Sequence, residues 1–127
     1  MTKEKNLYKL HEAVLDNDID SVKVCISEGC DVNERDENTY TPLHYAVQDG
    51  YVEIAKFLLD AGAEVDAKDE FGNTPLSTAV YNFNEDASMI DLLLRYGANK
   101  FIENNFGVSP YSLAKTIEGS EALQYLK

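Results

Sequence analysis

The three prolines of this chain, Pro42, Pro75 and Pro110, each fall second in a short string of the same kind. Those strings are Thr41-Pro42-Leu43-His44-Tyr45-Ala46, Thr74-Pro75-Leu76-Ser77-Thr78-Ala79 and Ser109-Pro110-Tyr111-Ser112-Leu113-Ala114. Their separations are 33 and then 35 residues, and Gly29, Gly62 and Gly97 keep the same two spacings. Leu10-His11-Glu12-Ala13-Val14 lies 33 residues before Leu43-His44-Tyr45-Ala46-Val47. A period of this length means one supersecondary unit repeated, none of which can bury its apolar face alone. The chain must therefore stack its units on one another, and local chemistry says what a unit is. Thr41 is a good N-cap, because its hydroxyl accepts from an orphan amide. Pro42 at the first helical position loses no hydrogen bond and has φ preset. Ile54, Phe57, Leu58 and Ala61 recur at i, i+3, i+4 and i+7, one face of a second helix. Gly62 then supplies the left-handed residue that ends it.

The Thr-Pro-Leu-His-x-Ala string at a 33-residue period resembles the ankyrin-repeat family, over about residues 7–127. The resemblance implies an all-α fold, an α-solenoid of four stacked ankyrin-like helix-turn-helix repeats with β-turn fingers. The repeats span about residues 6–35, 36–68, 69–102 and 104–127 of a single domain, 1–127, and the outer two act as caps. Repeat one lacks the Thr-Pro opening, which Tyr8 and Lys9 replace; Lys3, Lys5, Lys9 and Glu12 suit a solvated cap face. In repeat two Thr39 stands where repeats three and four have Gly72 and Gly107. Repeat three carries two extra residues in Phe83-Asn84-Glu85-Asp86-Ala87-Ser88, between its helices. In repeat four Ala122, Leu123, Tyr125 and Leu126 cover the stack, with Glu118, Glu121, Gln124 and Lys127 facing water. The family resemblance gives His11 and His44 a structural role, linking neighbouring repeats through backbone hydrogen bonds.

Hydrophobic residues make up 44% of the 127, enough for a packed core. The formal net charge is −12, so the chain repels phosphates, and neither nucleic acid nor a membrane surface is expected as a ligand. The charge suits a basic protein instead, whose encounter it would steer. No apolar run is long enough to span a membrane, and the N-terminus has no apolar secretory region, so a cytoplasmic monomer is expected. Cys25 occupies the slot of Leu58 and Cys30 that of Ala63. The slots imply buried free thiols; a disulfide is the alternative.

Nothing in the chain reads as a catalytic constellation, and no cofactor or metal is expected. Ser77 replaces histidine in repeat three, and no second acid or base recurs beside it. Asp16-Asn17-Asp18-Ile19-Asp20 resembles the start of a calcium loop, but Ser21 and Ser27 stand where glycine and glutamate are needed. Asp18 or Asp20 is read as a helix cap instead.

In the ankyrin family, ligand contacts cluster at the finger tips and on the exposed side of each first helix. Carried onto this chain, those positions hold Glu37, Tyr40, Tyr45, Gln48 and Asp49 in repeat two. In repeat three they hold Phe71, Thr78, Tyr81 and Asn82, to which the insertion adds Glu85. Exposed aromatics at such places bury much area at small entropy cost. With Phe106 they form a row in which aromatic anchors stand among acids. The expected function is protein binding, as a small acidic inhibitor of a basic partner. The layout, short and free-standing, resembles the ankyrin-type immunity proteins that neutralise a toxin domain. A scaffold or adaptor with a neutral or peptide partner is the alternative.

Overall fold

Proline at the start and glycine at the end mark the helices where the repeat spacing puts them. In the computed structural model, residues 8–117 and 121–127 are described; Lys3, Lys5 and Glu118 lie outside them. These residues form eight helices, with no strand among them. They are α1 (Lys9–Leu15), α2 (Ile19–Ser27), α3 (Pro42–Gln48), α4 (Val52–Asp60), α5 (Pro75–Tyr81), α6 (Ser88–Arg95), α7 (Pro110–Thr116) and α8 (Leu123–Leu126). The chain divides into two compact units, Met1–Glu64 and Val65–Lys127.

In the first unit α1 pairs with α2, α3 with α4, and α1 also packs on α3. Its core is Leu10, Val14, Val22, Leu43, Ala46, Ile54, Ala55 and Leu58, each at most 3% exposed. In the second unit α5 packs on α6 and on α7, and α7 on α8. Its core holds Leu76, Val80, Ile90, Leu92, Leu93, Ala114 and Ala122. Leu126 is buried with them, while Leu123 is half-buried and Tyr125 stays at the surface. Glu121, Gln124 and Lys127 face water. Lys100 donates through Nζ to the Leu126 carbonyl, so a cation meets the end of α8, the favourable end of the helix dipole.

Capping follows the repeated string. Thr41, Thr74 and Ser109 each accept through the side chain from the amide three residues on. Asp18 caps α2 by accepting from the Ser21 amide at 3.1 Å and its hydroxyl at 2.7 Å, the cap role expected there. The first repeat pays for its missing threonine. His11 donates from Nε2 to the Tyr40 carbonyl at 2.9 Å, joining the first two repeats as expected. In repeat two the Thr41 amide donates to His44 Nδ1 at 3.0 Å. Tyr8 has φ −113° and ψ 36° where Thr41 has −88° and 166°, so α1 starts from a different backbone conformation. Among the described residues His11 Nδ1 is buried without a partner, and α1 has no side-chain cap. Tyr8→Thr adds a hydroxyl to cap α1 and meet His11 Nδ1, as Thr41 does beside His44. It is expected to raise the unfolding free energy by about 1 kcal/mol, net of the lost Tyr8–His11 ring contact. Urea denaturation of the two proteins checks this, and no gain would mean that the orphan nitrogen costs nothing.

The cysteines correct the free-thiol expectation: Cys25 and Cys30 are joined in a disulfide, with Cα atoms 5.5 Å apart. The reason lies in how the second helix of each repeat stops. Gly29 has φ +96°, the Cys30 amide donates to the Cys25 carbonyl, and the Gly29 amide to that of Ile26. Leu58 and Ala63 share the same bond, as do Leu93 and Ala98. This termination brings two side chains five positions apart into contact, usually an apolar pair. Repeat one places two thiols there, close enough to bond.

Candidate functional site

A finger needs a tight turn whose amides are satisfied without a neighbouring strand. One side-chain oxygen does this in each finger. Asp36 Oδ1 accepts from the amides of Asn38 and Tyr40, Asp69 Oδ1 from those of Phe71 and Asn73, and Asn104 Oδ1 from those of Phe106 and Val108. The turn survives the Thr39 substitution because Thr39 itself takes φ +68°, where Gly72 and Gly107 have +81° and +78°. A β-branched residue is strained at such an angle. Thr39 Oγ1 is also buried without a partner.

In the second unit the fingers of repeats three and four are tied together. The Asn105 amide donates to the Phe71 carbonyl at 2.9 Å and its side chain to the Glu70 carbonyl at 3.0 Å. Asn104 Nδ2 donates to Asn73 Oδ1 at 2.8 Å. Behind these fingers lies a cleft of about 400 Å³, lined by Asn73, Ser77, Thr78, Tyr81, Asn104, Phe106, Val108 and Leu113. Its aromatic walls stand out into solvent, Tyr81 at 73% and Phe106 at 77% exposed. None of the lining side chains carries a charge.

Of the sequence candidates, Thr78, Tyr81 and Phe106 line this cleft. Phe71 is exposed on the tied fingers, while Asn82 and Glu85 are exposed but outside the lining. In the first unit Glu37, Gln48 and Asp49 are exposed. Tyr40 and Tyr45 are half-buried, edge to face at 5.3 Å, and the Tyr45 hydroxyl donates to Asp36 Oδ2 at 2.5 Å. His11 packs edge-on against Tyr45 at 5.9 Å. Burial alone raises the Asp36 carboxyl, but hydrogen bonds from Tyr45, Tyr40 and Asn38 and the nearby His11 outweigh it, and its pKa is lowered. Burial, and then the bond to Asp36, push the Tyr45 phenol up to about 12.

Sequence reasoning missed Asn104, Leu113 and Ser77 as members of the site. Ser77 carried a usable signal. It sits where His11 and His44 place a ring, and the smaller side chain leaves room that the cleft occupies.

Repeated helix pairs with laced fingers and an uncharged aromatic cleft define a helical-repeat binding scaffold. The family model for ankyrin repeats in three copies matches residues 10–104, and no curated protein matches the chain. The chain belongs to the ankyrin-repeat family, whose repeats generally serve as protein–protein interaction modules. No group of three or more metal-ligating side chains occurs among the described residues. Nor is any helix there long and apolar enough to cross a membrane.

Proposed function

We infer that this protein binds another protein and that the cleft of the second unit is its anchor point. The observation that carries this reading is the pair of rings, Tyr81 and Phe106, held in water on either side of polar, uncharged groups. Aromatic surface of this kind is stabilised when a partner covers it. The partner is a basic protein. Residues 1–64 carry 14 acids against six bases and residues 65–127 nine against five, so the units hold −8 and −4 of the total −12. Such a field steers a cationic partner, while the cleft holds it. The role is that of a small inhibitor covering a basic domain, in the manner of an ankyrin-type immunity protein with its toxin. The uncharged cleft also favours a second reading, an adaptor that takes a neutral peptide into the same groove.

Capture from the host lysate with the wild type and with Tyr81→Ala/Phe106→Ala as baits separates these readings. A basic protein retained by the wild type is expected, with binding by the double variant weaker by at least about a hundredfold. Its affinity should fall steeply between low and high salt. An affinity indifferent to salt favours the adaptor, and equal retention by both baits places the interface elsewhere.

A further inference from the structure

We propose that Cys25 and Cys30 form a redox-sensitive latch that sets the rigidity of the segment leading into the first finger. The argument starts from the comparison between repeats. At the ends of α4 and α6 the pair in these positions is Leu58 with Ala63 and Leu93 with Ala98, joined by the backbone bond between them and by no covalent link. At the end of α2 the same backbone bonds are present, from Cys30 to the Cys25 carbonyl and from Gly29 to that of Ile26, both at 3.0 Å. The helix end is therefore hydrogen-bonded whether or not the sulfurs are joined. In the reduced state Cys25, 1% exposed, remains a small buried hydrophobe. The fold accommodates both states, and the covalent bond adds constraint to one short stretch.

That stretch has a defined downstream contact. Three residues beyond Cys30, Asn33 accepts at Oδ1 from the Glu64 amide at 2.8 Å and donates from Nδ2 to the Gly62 carbonyl at 3.2 Å. Asn33 thus clips the end of repeat one to the matching end of repeat two. Asp31 Oδ1 fixes the Asn33 amide at 2.9 Å, and the finger begins at Asp36. Opening the latch frees Cys30 from Cys25, and with it the root of this clip.

The two sulfurs differ in access. Cys25 is enclosed and Cys30 is half-exposed, so an external thiolate reaches Cys30 Sγ. Attack there forms a mixed disulfide and breaks the Sγ–Sγ bond. The electron pair goes to Cys25 Sγ, which takes a proton. A second thiolate of the reductant attacks the reductant's own sulfur and releases Cys30 as a thiol. Two thiols are oxidised to one disulfide while the protein gains two hydrogens. Reoxidation by a small disulfide runs the same steps backward.

Hydrogen exchange of the whole chain with and without a dithiol reductant tests the latch, alongside Cys25→Leu/Cys30→Ala, which copies the pair of repeats two and three. Alkylation and mass measurement establish the cysteine state in each sample. Amides of residues 28–33, and that of Glu64, are expected to exchange about tenfold faster when the wild type is reduced. Those within α3 and α4 should not change. The variant should ignore the reductant, and Cys25→Ala/Cys30→Ala serves in its place if leucine does not fit. The proposal is overturned if oxidised protein contains two alkylatable thiols, if reduction leaves exchange at residues 28–33 unaltered, or if it accelerates α3 and α4 equally.

Discussion

Gly72→Ala is expected to destabilise the protein by about 3 kcal/mol, whereas Gly107→Ala, at the same place in the next finger, costs only about 1 kcal/mol. Both glycines have left-handed backbone, φ +81° and +78°, so alanine meets a similar conformational penalty at each. They differ in what a Cβ would touch. At Gly107 nothing lies within 4 Å. At Gly72 the added carbon would sit 2.7 Å from Asn105 Oδ1, 2.9 Å from the Asn105 amide nitrogen and 3.1 Å from Asn104 Cα. A side-chain oxygen can turn away, but two of these three atoms are backbone, and they move only if the finger of repeat four moves. That displacement breaks the bonds from Asn105 to Phe71 and Glu70. Urea midpoints of the two variants measure the contrast. Equal losses would mean that the close approach is relieved without cost.

Removing the carboxylate of Asp36 has the other large effect, about 3 kcal/mol for Asp36→Ala. That oxygen pair holds the Asn38 and Tyr40 amides and the Tyr45 hydroxyl, so one substitution orphans three donors. Tyr45→Phe keeps the ring contacts and should cost about 1–2 kcal/mol. The pair also fixes a pH window. The Asp36 pKa is lowered in the folded protein, so its contribution is complete above the ordinary carboxyl range and is lost as pH falls through the folded value. The Tyr45 pKa is raised from 10.0 to about 12, so its contribution is complete below 10 and disappears as pH rises towards 12. Stability from this pair is flat between about pH 4 and 10 and falls on both sides. Asp18 and Asp86 are lowered too, by hydrogen bonds from Ser21 and Ser88, and add to the acid limb. The Tyr8 phenol is raised as well, by burial and then by Glu37, so the alkaline limb should become shallower but persist in Tyr45→Phe, and an unchanged limb would refute the coupling.

The helices were legible because Pro, Thr and Gly act through their own backbone and caps, within three or four residues. Pro42 and Pro75 start helices in the structure, and Gly29, Gly62 and Gly97 follow the ends of others. Thr78 and Tyr81 follow from the family resemblance, which places contacts on the exposed side of each first helix. What was not legible depends on pairs far apart in sequence. Asn73 and Asn104 meet across 31 residues, and only their meeting closes the side of the cleft. Tyr45 looked like a free anchor, since nothing local shows that Asp36, nine residues back, engages its hydroxyl. The disulfide was a different failure. The slot comparison with Leu58 and Ala63 implies side-chain contact at the helix end, and that contact is what brings the two sulfurs within bonding reach.

The lacing of the two fingers in the second unit makes them a single lever. Phe71 and Phe106 sit on turns that share the bonds of Asn105, with Gly72 as the point of closest approach. A force applied to one ring is carried into the turn that bears the other. On the proposed binding role the two rings should act as one anchor, and truncating both is expected to weaken binding by less than the product of the separate losses.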